Sequence, residues 1–106
     1  MTKKYELTTE TKVVGDKTLY RIKALIAFRD VRVGDVGGFV ESDRNLSHYG
    51  NAWVYGNAWV YGNAKVFGNA KVYDNAEVYG NAGVYGNVEV FGNAKVYGNA
   101  EVYGNA

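Results

Sequence analysis

From Asn51 onward two small apolar residues recur two positions apart in every block of six. The blocks NAWVYG, NAWVYG, NAKVFG, NAKVYD, NAEVYG, NAGVYG, NVEVFG, NAKVYG and NAEVYG fill residues 51–104 without an insertion, and Asn105-Ala106 begin another. Asn45-Leu46-Ser47-His48-Tyr49-Gly50 fits the same frame as a degenerate preceding block. A fixed short period is the mark of a solenoid. Within a block, Ala and Val lie on one face of an alternating segment, and the variable residue and the aromatic lie on the other, so the four residues between Asn and Gly predict a short strand. Gly and Asn at the block boundary tolerate positive φ and suit a sharp corner. A helix is excluded, because a six-residue spacing drifts against 3.6 residues per turn.

A ring of three short strands encloses a narrow prism with room for Ala and Val but not for a tyrosine on every side. Ala52, Val54 and their equivalents are therefore expected inside, each buried Val contributing roughly 1.5–3 kcal/mol. The variable residues and the aromatics point out. Three blocks per coil make an eighteen-residue turn, which places Lys71 over Glu89 and Glu77 over Lys95. Such exposed opposite-charge pairs are each worth well under about 1 kcal/mol. The same register stacks Tyr55/Tyr73/Phe91, Tyr61/Tyr79/Tyr97 and Phe67/Tyr85/Tyr103, with an asparagine ladder at each corner.

The segment Val54-Tyr55-Gly56-Asn57-Ala58-Trp59, an aliphatic residue followed four positions later by a small one, resembles the frame of hexapeptide-repeat proteins. That resemblance implies a left-handed parallel β-helix. The chain departs from the family in carrying Tyr or Phe right after the aliphatic residue, where Gly is frequent. The fold class expected is thus all-β, a triangular parallel β-helix (left-handed β-solenoid, eighteen residues per coil) with an N-terminal β-hairpin cap.

Residues 1–32 lack the repeat and form that cap, 33–50 an irregular first coil, and 51–106 the solenoid. Tyr5–Val13 and Thr18–Phe28 read as two strands joined by a turn at Gly15-Asp16, with Tyr20, Ile22, Ala24, Ile26 and Phe28 on one face. A helix over 19–28 is disfavoured by the β-branched content. The hairpin would protect the apolar end of the first coil. The stretch GDVGGFVESDRNLSHYGNAWVYGNA, residues 34–58, also resembles a group of small bacteriophage and prophage proteins with variable numbers of GNAxVY blocks. That resemblance implies a phage origin and a bacterial cytoplasmic setting.

Composition narrows the chemistry. Without cysteine there are no disulfides and no thiolate catalysis. A net charge of +1, with three lysines against four acids in the repeats, argues against nucleic acid as a partner. No apolar run approaches a membrane span. The lone His48 cannot supply the three-histidine zinc site of γ-type carbonic anhydrases, and no loop interrupts the hexads to hold coenzyme A as in hexapeptide acyltransferases. No cofactor or metal is expected. Threonine columns for ice binding and block-wise Asp for calcium are likewise lacking, since all five Thr precede residue 19 and only Asp74 falls in the repeats.

The remaining candidate is aromatic surface. Tyr49, Trp53, Tyr55, Trp59, Tyr61 and Phe67 gather near the first coil and are read as partner-binding residues. Trp53 and Trp59 carry most weight, because Lys or Glu fills their positions later. The competing reading packs these rings beneath the hairpin or against one another. Ala100, Val102 and Tyr103 are read as a dimerisation surface, isologous because head-to-tail stacking would not close. The expected role is a non-catalytic, phage-derived module that binds a host protein, with inhibition of a defence nuclease such as a CRISPR effector as its specific form. The alternatives are a structural rod of a phage particle and an acyltransferase acting through His48.

Overall fold

The structure, a computed structural model, describes residues 3–104; the Asn105-Ala106 stub lies outside them. Two antiparallel strands, β1 (Tyr5–Val14) and β2 (Lys17–Ala24), open the chain. They turn at the expected Gly15-Asp16, where Gly15 takes a φ of 61°. β2 passes antiparallel to β3 (Val36–Val40), and β3 begins the winding. A turn of 3-10 helix at Asp43–Asn45 follows, capped by Ser42. Each hexad then contributes one two-residue strand at its variable-residue/valine pair, half the length the alternation suggests. These are β4 (Trp53–Val54), β5 (Trp59–Val60), β6 (Lys65–Val66), β7 (Lys71–Val72), β8 (Glu77–Val78), β9 (Gly83–Val84), β10 (Glu89–Val90), β11 (Lys95–Val96) and β12 (Glu101–Val102).

Strands three hexads apart pair in parallel, so Trp53 meets Lys71, Lys71 meets Glu89, and Lys65 meets Gly83. The result is three sides: β4-β7-β10, β6-β9-β12, and a six-stranded sheet β1-β2-β3-β5-β8-β11 in which the cap continues one solenoid side. Val54, Val60, Val66, Val72, Val78 and Val84 are fully buried with Ala52, Ala58, Ala64, Ala70 and Ala76, so methyl groups fill the axis. Corners are tight: a Cβ on Gly80, whose φ is 72°, would stand 2.8 Å from the Gly98 nitrogen of the next coil. Asparagine side chains bridge coils through Asn51, Asn69 and Asn87 at 3.3 and 3.1 Å, and through Asn63, Asn81 and Asn99 at 3.3 Å. At the third corner Asp74 stands in a glycine's place at φ 63°, and its carboxylate accepts the Gly92 N–H at 3.1 Å.

Two sequence expectations need correction. β2 ends at Ala24 rather than Phe28, because Ala24 donates to Asp35 O and accepts from Gly34 N, folding the next segment back. The block Asn45–Gly50 is also out of frame. Leu46 bridges Val66 just as Val40 pairs with Val60, an offset longer than the three hexads that separate partners in the later coils. The larger Leu46 side chain occupies the valine column rather than the alanine slot the hexad frame assigns it, and it is fully buried there. The charge pairs lie in the expected register, yet no ion pair joins Lys71 to Glu89 or Glu77 to Lys95 among the described residues. Glu89 instead accepts the Tyr73 hydroxyl at 2.6 Å.

Candidate functional site

The first full coil presents carbonyls downward with no regular coil beneath. In the repeats such groups accept backbone N–H bonds, as Gly68 O does from Asn51 and Ala70 O from Trp53. At the first coil four side chains take over, Arg44 among them with its Nε donating to Gly62 O at 3.2 Å, which avoids the penalty of unpaired buried acceptors. Lys4 Nζ donates to Ala52 O at 2.6 Å and to Gly50 O at 3.4 Å. Asn45 Nδ2 donates to Ala64 O at 2.8 Å and to Gly62 O at 3.2 Å. Arg21 Nη1 reaches Gly37 O at 2.8 Å and Gly56 O at 3.2 Å. Lys4 is fully buried, and its ammonium lies 4.9 Å from the Phe28 ring centroid. Burial, and secondarily the nearby Arg29 charge, pull its pKa down to about 8. Lys4 carries no periodic signal, and the hexad frame reads Asn45 as the corner asparagine of a degenerate block, so sequence reasoning missed both roles.

His48 is also absorbed by the cap. Its Nδ1 accepts the Lys4 backbone N–H at 3.1 Å, its ring stacks on Tyr5 at 4.1 Å, and Nε2 lies 3.6 Å from Asp43. The Tyr5 hydroxyl donates to Leu46 O at 2.5 Å, and burial pushes its pKa up. Phe28, freed from β2, lies edge-on to Trp53 at 5.3 Å, and Tyr5 approaches it at 6.1 Å. Trp53 is 2% exposed. Its assignment to an open partner surface is therefore corrected: the ring points away from the axis, but the cap covers it. Gly37 permits this, because a Cβ there would meet Trp53 Cε2 at 2.9 Å.

The other candidates divide. Trp59 is half-buried, with Lys12 Nζ 4.6 Å over its ring. Tyr55 is half-buried and donates to Asp30 at 3.0 Å; burial and that hydrogen bond raise its pKa to about 12. Tyr61 is half-buried against Tyr79, stacked at 5.2 Å. Tyr49 and Phe67 are exposed, the former at 68%. Phe67 stacks on Tyr85 at 4.7 Å with 8° between planes, and Tyr85 on Tyr103 at 5.3 Å. The columns continue to exposed Phe91 and Tyr97. Because neighbours consume the ring faces, these columns offer solvent mainly ring edges and hydroxyls. That geometry suits protein side chains better than base stacking, which needs open faces. In the last described coil Ala100 and Tyr103 are exposed and Val102 is half-buried.

Among the described residues no group of three or more His, Cys, Asp or Glu is gathered to hold a metal ion, and no helix is long and apolar enough to cross a membrane. The chain matches no family model and none of the curated proteins.

Proposed function

We propose that this chain is a non-catalytic protein-binding module whose partner surface is the set of exposed aromatic columns outside the cap, centred on Phe67, Tyr85 and Tyr103. The observation that carries this reading is the stacking of Phe67 on Tyr85 and Tyr85 on Tyr103, which holds partly exposed rings in fixed places. Rings immobilised before binding lose little conformational entropy when a partner arrives, which suits them to anchor an interface. The GNAxVY likeness supports a phage origin and a bacterial cytoplasmic setting; inhibition of a defence nuclease is proposed as the specific role by analogy from that origin, because small phage proteins without catalytic groups often block host machinery. His48 is engaged by Lys4 and Tyr5 inside the cap, which weighs against acyl transfer at that residue. The test is capture of a host protein by wild type and by Phe67→Ala/Tyr85→Ala. Loss of capture with an unchanged circular dichroism spectrum is expected; equal capture would refute the assigned surface.

A further inference from the structure

Eight of the nine outward positions that precede valine in the hexads carry Trp, Lys or Glu; the ninth, on β9, is Gly83. Neither backbone nor packing requires glycine there. Gly83 is not among the residues with positive φ. A Cβ would meet only Tyr85 at 3.7 and 3.8 Å and Glu101 Cγ at 4.0 Å, which is ordinary contact. Glycine inside a strand weakens it and often marks a bulge, a tight bend or the close approach of another group; the pairing at Gly83 is regular, which leaves the last of these open there.

The missing side chain forms part of a groove of about 640 Å³ on the β6-β9-β12 side. Lys65 and Glu101 flank Gly83 on the neighbouring strands, and Phe67, Tyr85 and the Asn63/Asn81/Asn99 ladder line the groove with Arg44. Six of the eight equivalent positions carry Lys or Glu, and the other two, beside the cap, show that an aromatic ring is also accommodated there. Trp53 and Trp59 occupy the equivalent place on β4 and β5, and an ammonium, that of Lys12, lies 4.6 Å over the Trp59 ring. Lys65, one strand from Gly83 and so roughly 4.8 Å away along the axis, can stand over an incoming ring in the same way. Glu101 Oε1 accepts the Tyr85 hydroxyl at 2.8 Å, leaving Oε2 to accept an indole N–H or a phenol O–H.

We propose that the Gly83 groove receives one aromatic side chain, tryptophan or tyrosine, from a partner protein, at the position the other hexads fill with their own side chains. This deepens the protein-binding reading above and rests on it. The probe is N-acetyltryptophanamide titrated into the ¹⁵N-labelled full chain. Saturable shifts are expected at Lys65, Gly83, Tyr85 and Glu101 and not at Lys71 or Glu77 on the other sides. Gly83→Lys, which the open contact at Cβ tolerates, should keep the thermal midpoint and weaken the probe at least about tenfold. Absent shifts, shifts retained in Gly83→Lys, or equal binding of N-acetyllysinamide or N-acetylglucosamine would overturn the groove proposal. They would leave the wider protein-binding reading to the Phe67→Ala/Tyr85→Ala test. Conversely, partner capture retained in Gly83→Lys but lost in Phe67→Ala/Tyr85→Ala would overturn the groove as the anchor while preserving that reading.

Discussion

Replacing Trp53 with alanine should detach the cap from the solenoid. The indole is 2% exposed and sits between Phe28 at 5.3 Å and Tyr5 at 6.1 Å, both edge-on, with Gly37 against its six-membered ring. A buried tryptophan removes about 150–250 Å² from water. At about 25 cal/mol per Å² that is roughly 4–6 kcal/mol, in line with the 3–5 kcal/mol typical of Trp→Ala in cores. A chain of this size shifts its midpoint by about 4–8 °C per kcal/mol, so a loss of about 3–5 kcal/mol should lower the thermal midpoint by roughly 12–40 °C. Trp59→Ala is the internal comparison. That ring is half-buried and its specific contact, with Lys12, is worth about 0.5–1 kcal/mol, so its loss should be far smaller. Urea titration followed by circular dichroism gives both values. Acrylamide quenching of Trp59→Phe, which leaves Trp53 as the sole indole, reports its burial directly. A Trp53→Ala loss below about 1 kcal/mol, or a freely quenched Trp53, would refute the packing account.

Other consequences follow from the same contacts. The folded chain releases the Lys4 proton near pH 8 while the unfolded chain keeps it to its ordinary 10.5, so stability should rise with pH across that window. After solvent screening the gain is on the order of 1–2 kcal/mol, and Lys4→Met should abolish the rise. Tyr5 acts oppositely: burial raises its pKa above the ordinary 10.0, so its contribution is complete below pH 10 and is lost above it. Denaturation midpoints across pH 7–11.5 should therefore peak near pH 10; a flat profile from 7 to 10 would contradict the buried ammonium. Gly80→Ala, whose Cβ would lie 2.8 Å from Gly98 N, should cost more than Gly98→Ala, where no atom stands within 4 Å and only the positive φ is penalised. The expected values are roughly 2–4 against 1–2 kcal/mol by chemical denaturation, and equal losses would contradict the stacked corners.

The repeat was legible because each hexad restates the same two constraints, a methyl-bearing inner face and a corner that tolerates positive φ. Register followed, since a turn of three hexads brings Lys71 over Glu89 and Glu77 over Lys95. The details of those contacts did not follow, because Glu89 chose the Tyr73 hydroxyl and side-chain partners are settled by local geometry rather than period. The cap was legible only as a hairpin. Lys4 and Asn45 each act once, on carbonyls far away in sequence, and nothing in their neighbours announces it. Trp53 and Trp59 drew notice as exceptions to the Lys/Glu pattern. The exception marks proximity to the cap, where an outward ring gains cover from Phe28 or Lys12. Leu46 misled the frame for a related reason: in a narrow prism side-chain volume overrides position in the block.

The central claim is that three hexads complete one turn with valine and alanine on the axis. The native chain has no cysteine, so introduced pairs report distance without interference. Lys71→Cys with Glu89→Cys places the two residues as direct partners on adjacent strands, within the roughly 4.4–6.8 Å that a disulfide spans between Cα atoms. Oxidation should link that pair quantitatively in the folded monomer, while Lys71→Cys paired with Gly83→Cys or Lys95→Cys stays reduced. A disulfide in either of the latter pairs, and none between 71 and 89, would mean a turn of some other length.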